Sequence, residues 1–282
     1  MSTTTVPALP PNAALVGRGF GSDVFAWGPG RVLKLLHADL PRAKAEDELR
    51  VTRSVHAAGF PAPAGFEVIE VGGRWGIVFE RIDGPTLFNY VQRRPWLLPW
   101  SVRLLAEMHG AIHRLPAPSE LPTLHQWITG RITVAELLAA ERDAALAQLA
   151  KLPGGPAVCH GDFHPDNIVL SPAGPVVIDW GRAARGHPLG DVAATVRLLR
   201  TANLPDWAPR FARWLLRGTR TFIERRYRAT YVRMNGGTRR EIEAWLGPLD
   251  AVGAALTRER AGPASGGASR PPRPSRRTGH PS

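Results

Sequence analysis

The segment Cys159-His160-Gly161-Asp162-Phe163-His164-Pro165-Asp166-Asn167, followed by Val176-Val177-Ile178-Asp179-Trp180, constrains the fold more than any other part of this chain. Ile168 to Leu170 and Val176 to Ile178 are short apolar runs separated by Ser171-Pro172-Ala173-Gly174, a turn-forming cluster. They are predicted to pair as a hairpin. That hairpin carries Asp179 back beside Asn167, while Asp162 stands across a tight loop containing Pro165. Ala157-Val158-Cys159 reads as the end of a buried strand feeding this loop.

A hydroxyl that receives a phosphoryl group needs a carboxylate within hydrogen-bond reach, and a nucleotide needs Mg²⁺ held by hard oxygen ligands. Asp162 is the candidate for the first task, as orienting group and proton acceptor. Asn167 and Asp179 form the candidate metal pair. The order Asp, four residues, Asn, then an Asp leaving a hydrophobic strand matches the catalytic and metal-binding loops of kinases. In detail, His-Gly-Asp-Phe-His-Pro-Asp-Asn with a following Ile-Asp-Trp resembles the aminoglycoside phosphotransferase and choline kinase family. Protein kinases instead place Arg where Gly161 stands and Phe-Gly after the metal Asp. The resemblance runs from about Leu15 to about Leu199. It implies an α+β, two-lobed protein-kinase-like fold: a small antiparallel β-sheet lobe with one main helix, and a larger, mostly helical lobe. It also implies that ATP or GTP and Mg²⁺ are the cofactors, that His160 holds the loop by hydrogen bonds, and that Asp191 accepts hydrogen bonds from that loop. Asp191 reads equally as a simple helix cap. His164 occupies the position where many protein kinases carry a Lys, so it is a candidate contact to the transferred group. Cys159, His160 and His164 could instead suggest zinc, but no second ligand pair accompanies them.

A nucleotide-binding reading makes demands upstream. Gly17-Arg18-Gly19-Phe20-Gly21-Ser22 precedes a run of Val24 to Trp27, a Gly28-Pro29-Gly30 turn, and Arg31-Val32-Leu33-Lys34-Leu35-Leu36. The glycines Gly17, Gly19 and Gly21, with Ser22, let backbone N–H groups approach phosphate oxygens. Lys34 sits inside an apolar strand, where an ammonium is costly without an anionic partner. A helix is signalled from about Pro41 to Ala58, with Asp39 as candidate cap and Gly59 past the end. At 100° per residue, Glu48 falls within the stripe of Ala45, Val51, Thr52, Val55 and Ala58, whereas Glu46 points away. Glu48 is therefore the expected partner of Lys34. Phe66 to Val71 and Trp75 to Glu80 flank Gly72-Gly73 as another hairpin. The resemblance places adenine contacts on the backbone after it, at Glu80 and Ile82.

Beyond this connector the pattern is helical, with Val102, Leu105, Ala106, His109 and Ile112 on one side of Ser101 to His113, and an amphipathic stretch from Val134 to Leu149. His109 and His113, one turn apart, read as core or surface residues. The expected organisation is an N-terminal extension (1–12), a nucleotide-binding lobe (13–80), a hinge (81–84), a catalytic and substrate-binding lobe (85–256) and a disordered basic tail (257–282).

Charge bears on the acceptor. The chain carries a net charge of +12. Residues 195–256 hold 12 Arg against five acids, giving +7, and residues 257–282 hold six Arg against one Glu, giving +5. In the resembled family the acceptor sits against the C-terminal helices, and here Trp207, Trp214 and Trp245 lie among arginines. A pocket for a polycation should be lined by carboxylates. The expectation is thus O-phosphorylation of a neutral or anionic hydroxylated small molecule. The alternatives are an aminoglycoside or other antibiotic phosphotransferase, a kinase-like module that binds nucleotide without turnover, and a nucleic-acid-associated protein using its basic tail nonspecifically. One cysteine, no signal-peptide pattern and no apolar run of membrane-spanning length predict a cytoplasmic protein without a membrane partner. Oligomeric state has no signature in the sequence.

Overall fold

The computed structural model describes residue 9 and residues 13–19, 21–201 and 210–261, with the backbone alone for 210–219 and 254–261. Five antiparallel strands form one sheet in the order β1-β2-β3-β5-β4: Leu15–Arg18, Ser22–Ala26, Arg31–Leu36, then Arg74–Glu80 (β5) and Gly65–Val71 (β4). Period-two alternation in β3 sends Leu33 and Leu35 to one face, where they pack with Val71 and Val78. Leu36 points to the other, with Ile77 and Phe79. That second face is covered by α1 (Arg42–Ala57), whose Ala45 and Leu49 complete the cluster. Lys34 shares the α1 face, in register with Val24 on β2 and Ile77 on β5. α1 opens at Pro41 without a side-chain cap, so Asp39 does not cap it as expected. Pro41 can begin the helix unaided because the N–H it lacks would have had no intrahelical partner. Gly59 follows the helix at φ 80°.

The second group of elements is helical: α2 (Leu87–Gln92), α3 (Leu98–His113), α4 (Leu124–Val134), α5 (Ala139–Leu149), α6 (Pro188–Thr201), α7 (Arg210–Asn235) and α8 (Arg239–Ala261). Their apolar faces meet in one large core around Leu105, Ile112, Ile128, Trp180, Tyr227 and Trp245. Two small antiparallel pairs are set into it, β6 (Ala157–Cys159) with β9 (Ala184–Gly186), and β7 (Ile168–Ser171) with β8 (Gly174–Val177). α3 and α7 approach closely at Gly110, where a Cβ would collide with the side-chain amide of Asn235.

Three expectations are corrected. The helix read from Val134 to Leu149 begins only at Ala139, because Ala135 leaves α4 in an extended conformation. The preceding α4 was unforeseen, although Thr123 and Gln126 make a reciprocal capping box at its start, a signal present in the sequence. Residues 257–261, expected to belong to the disordered tail, are the end of α8, which continues to Ala261. The rest of the tail, most of the N-terminal extension and Trp207 lie outside the described residues, as does the side chain of Trp214. Trp245 is buried in the core against the ring of His125 and lines no open surface. Among the described residues, no helix is long and apolar enough to cross a membrane.

Candidate active site

β6 delivers the loop from His160, and β7 and β8 return the chain to Asp179. The hairpin pairs Ile168 with Val177 and turns at Pro172-Ala173. Its base is closed by the Ile178 N–H donating to the Asn167 carbonyl at 2.9 Å, which ties the two candidate metal-ligating residues together. The Asn167 side-chain N–H₂ donates to the Asp162 carbonyl at 2.9 Å. This commits the amide nitrogen and leaves the oxygen for another partner. Asp179 adopts φ 65°, a left-handed conformation that Asp tolerates better than most residues. Trp180, fully buried, anchors the chain beyond it by donating to the Val177 carbonyl at 3.0 Å.

Across from this hairpin, Lys34 donates to Glu48 Oε1 at 2.6 Å and to Asp179 Oδ1 at 2.8 Å. One ammonium therefore joins the sheet, α1 and the loop after β8. Burial alone would lower the Lys34 pKa, but the two carboxylates raise it above the ordinary lysine value. Burial pushes the Glu48 carboxyl up, opposed by Lys34. Asp179 is held well below the carboxylate range, because Lys34 outweighs its desolvation. Glu46, by contrast, is exposed and pairs with Arg42, so the helical-period argument separated the two acids as the structure does.

The carboxylate of Asp162 stands 3.0 Å from the guanidinium of Arg182. Its N–H donates to His160 Nδ1 at 3.2 Å, so the other ring nitrogen of His160 donates to the Ile178 carbonyl at 3.1 Å. His160 thus bridges the two halves of the loop. Gly161 takes φ 78°, and a Cβ there would meet the Arg182 carbonyl, so this position requires glycine. His164 caps the 3₁₀ turn of Pro165–Asn167, its Nδ1 accepting from the Asp166 N–H at 3.3 Å. Lys44, on α1, donates to the Gly181 carbonyl at 2.5 Å, and burial lowers its pKa. Neither Arg182 nor Lys44 was singled out from sequence, since nothing in the residues beside them marks such distant partners.

The remaining candidates are more dispersed. Gly17 and Gly19 lie at the β1–β2 hairpin, where the Gly19 N–H donates to the Ser22 carbonyl at 2.8 Å. The Gly21 carbonyl accepts from the His37 N–H at 2.9 Å, and Ser22 is buried at the start of β2. Glu80 ends β5 with its side chain accepting from the Ala64 N–H at 3.0 Å. Ile82 lies in the connector before α2, which touches the loop through a Thr86 hydroxyl donating to Asp166 at 3.0 Å.

Asp191 is fully buried in the first turn of α6. It accepts from the His160 N–H at 2.5 Å and the Gly161 N–H at 2.9 Å. Burial opposes its charge, but the imidazoles of His109 and His113 more than offset this and hold its pKa well below the usual range. His109 itself is lowered to about 4, first by burial and then by His113 beside it, against the raising effect of Asp191. An unfolded histidine titrates near 6.5, so between about 6.5 and 4 the unfolded chain takes up a proton that the folded chain refuses. Stability is therefore expected to fall as pH drops through this window, by about 2 kcal/mol between pH 7 and pH 5 from His109 alone. Burial lowers His160 as well, adding with the same sign. Urea midpoints that coincide at the two pH values would contradict this.

As to a metal, the donor set at Asn167 and Asp179 is an amide oxygen and a carboxylate that stays ionised. It contains no thiol, which suits a hard divalent cation.

The family model described as the phosphotransferase enzyme family matches residues 13–229. A search of curated proteins found no match. Among solved structures, the fold is similar to a thermostable mutant of aminoglycoside phosphotransferase APH(4)-Ia, with 18% identity over 90% of this chain and 96% of that one and a TM-score of 0.58. It is also similar to aminoglycoside phosphotransferase APH(3'')-Id from Streptomyces rimosus, with 22% identity, coverage of 84% and 91%, and a TM-score of 0.56. The amicoumacin kinase hAmiN, in complex with AMP-PNP, Ca²⁺ and Ami, shares 12% identity over 90% of this chain and 83% of that one, with a TM-score of 0.61. These structures carry the expected two-lobed, protein-kinase-like fold. The match over residues 13–229 and the shared architecture agree: the chain belongs to the phosphotransferase enzyme family.

Proposed function

We propose that this phosphotransferase moves the terminal phosphoryl group of ATP to a hydroxyl of a neutral or anionic small molecule. The observation that carries the reading is the double contact of Lys34, at 2.6 Å to Glu48 and 2.8 Å to Asp179. It supports the reading because the Lys34 ammonium stands opposite the loop that holds Asp162, where a cation would face nucleotide phosphates. Asp162 orients the acceptor hydroxyl and takes its proton as the oxygen–phosphorus bond forms. Arg182 fixes the direction of that carboxylate. Asn167 and Asp179 would hold Mg²⁺, which when bound neutralises charge on the phosphate oxygens. Glu48 keeps Lys34 in place, and the Gly17–Ser22 hairpin covers the phosphates. His164 is the candidate contact to the transferred group.

The acceptor class follows from charge. Of the five acids in residues 195–256, Glu224 is paired with Arg200 and Arg228, Glu243 with Arg228 and Arg239, and Asp250 with Arg197. Glu241 is bonded to the Thr238 hydroxyl at 2.7 Å. Asp206 lies outside the described residues; among the others only Glu241 has no basic partner, which supports a neutral or anionic acceptor over a polycation. A second reading, an antibiotic acceptor, is favoured by the similar structures, one of which holds ADP and streptomycin. An assay of ADP and GDP release across sugars, amino alcohols, hydroxy acids and aminoglycosides separates the two, with Asp179→Ala as control. Turnover of kanamycin-type compounds well above all neutral and anionic alcohols would replace the first reading by the second. Release that persists in Asp179→Ala would remove both.

A further inference from the structure

Asp191 collects four donors on one buried carboxylate. Besides the N–H groups of His160 and Gly161, His109 Nε2 lies 2.9 Å and His113 Nε2 3.2 Å from its Oδ2. An ionised carboxylate only accepts, so both imidazoles carry their proton on Nε2. Their Nδ1 atoms are then acceptors, and each has its donor: the Tyr227 hydroxyl at 2.5 Å from His109 and the Tyr231 hydroxyl at 2.6 Å from His113. Two relays of one direction thus run from α7, through α3, to Asp191 on α6, where they meet the two N–H groups that the loop donates to the same carboxylate. Gly161, whose N–H the carboxylate holds, immediately precedes Asp162.

We propose that His109 and His113 are positioning residues for phosphoryl transfer, fixing Asp191 and through it the backbone on which Asp162 is carried. This rests on the reading of Asp162 as the group that takes the acceptor's proton. Two other accounts of the cluster fit less well. Two histidines and an aspartate within 4.8 Å resemble a metal-ligand set. Here, however, every ring nitrogen is already engaged, and Asp191 is spent on two backbone amides that cannot move aside. Simple core filling explains the stacking of His109 on Phe163 at 4.3 Å. It does not explain why both rings turn a nitrogen to the same carboxylate while both hydroxyls turn to the rings, since apolar residues would fill that volume without polar groups to satisfy.

The test separates donor from volume. His109→Phe keeps a ring against Phe163 but removes the donor to Asp191. It is expected to lower kcat roughly ten- to a hundredfold, the scale of misplaced catalytic groups, with the nucleotide KM unchanged because Lys34 and Glu48 are untouched. His109→Gln restores an N–H at that reach and is expected to recover kcat to within about threefold of wild type. Should His109→Phe fail to fold, Tyr227→Phe, which deletes one oxygen, is expected to lower kcat roughly fivefold at constant KM. Unaltered kcat per folded molecule in the foldable variants would overturn the proposal. So would a larger loss in His109→Gln than in His109→Phe. Isotope-labelled histidine NMR of the wild type gives a readout independent of turnover: both rings are expected as the Nε2–H form, and an Nδ1–H form would overturn the assignment. A wild type that releases no ADP with any acceptor would defeat the phosphotransfer reading while the NMR result still decides the relay.

Discussion

Asp162→Asn is expected to reduce kcat by about 10²- to 10⁴-fold, the usual range for loss of a well-placed general base, while nucleotide affinity stays near that of the wild type. The substitution keeps the size and shape of the side chain. The Asp162 carbonyl still accepts from Asn167 and its N–H still donates to His160, so the loop retains both backbone anchors. What disappears is the proton acceptor and the charge facing Arg182 at 3.0 Å. That ion pair is partly solvated, so its loss costs about 1 kcal/mol or less in stability. Steady-state kinetics against an active acceptor, with calorimetric titration of nucleotide, measures both. Undiminished turnover would sink the assignment of Asp162; lost turnover together with lost nucleotide binding would show that the loop had collapsed.

How far the chain's pattern predicted this site depended on distance along it. The loop from His160 to Asn167 and the hairpin to Asp179 were readable because the residues that carry their pattern lie within 20 positions of one another, whereas the hold of Asp191 on His160 and Gly161 comes from 31 and 30 positions away. Turn chemistry at Ser171 to Gly174 set the register. Lys34 and Glu48 were matched across 14 positions by period alone: an ammonium within an apolar strand, and an acid on the apolar face of the next helix. His109 and His113 were read only as core or surface residues because their shared partner Asp191 is 82 and 78 positions away. Such a pairing is created by helix packing, and Gly110 permits it by letting α7 lie close to α3. The break between α4 and α5 escaped for another reason. Residues 135 to 138 are Ala-Glu-Leu-Leu, good helix formers that continue the apolar period, yet tertiary packing of Ala135, 3% exposed, overrides that preference.

Lys34→Met is expected to abolish turnover and to destabilise the protein by about 3–5 kcal/mol at pH 7, the cost of leaving one partner of a buried ion pair uncompensated. Glu48 is 3% exposed and stands 2.6 Å from the lost ammonium. Asp179, more open at 42%, can turn to water and contributes less. The orphaned Glu48 escapes part of the penalty by taking up a proton, which raises its folded-state pKa further above that of the unfolded chain. Stability in the variant should therefore be retained below the unfolded value, near 4.3, and fall as pH rises from there through the raised folded value, opposite in sign to the His109 dependence. The double variant Lys34→Met/Glu48→Leu removes the charge together with its partner. It should recover most of the lost stability and lose the Glu48 part of the pH dependence, keeping that of His109 with its opposite sign, yet remain inactive because no cation faces the nucleotide phosphates. Urea unfolding at pH 5 and pH 7, run beside the activity assay, reads all three effects. A single variant as stable at pH 7 as the double would mean that Glu48 is compensated by another cation, with Lys44 on the same helix the first to examine. A double variant that regained turnover would show that phosphoryl transfer here does not depend on a strand lysine at all.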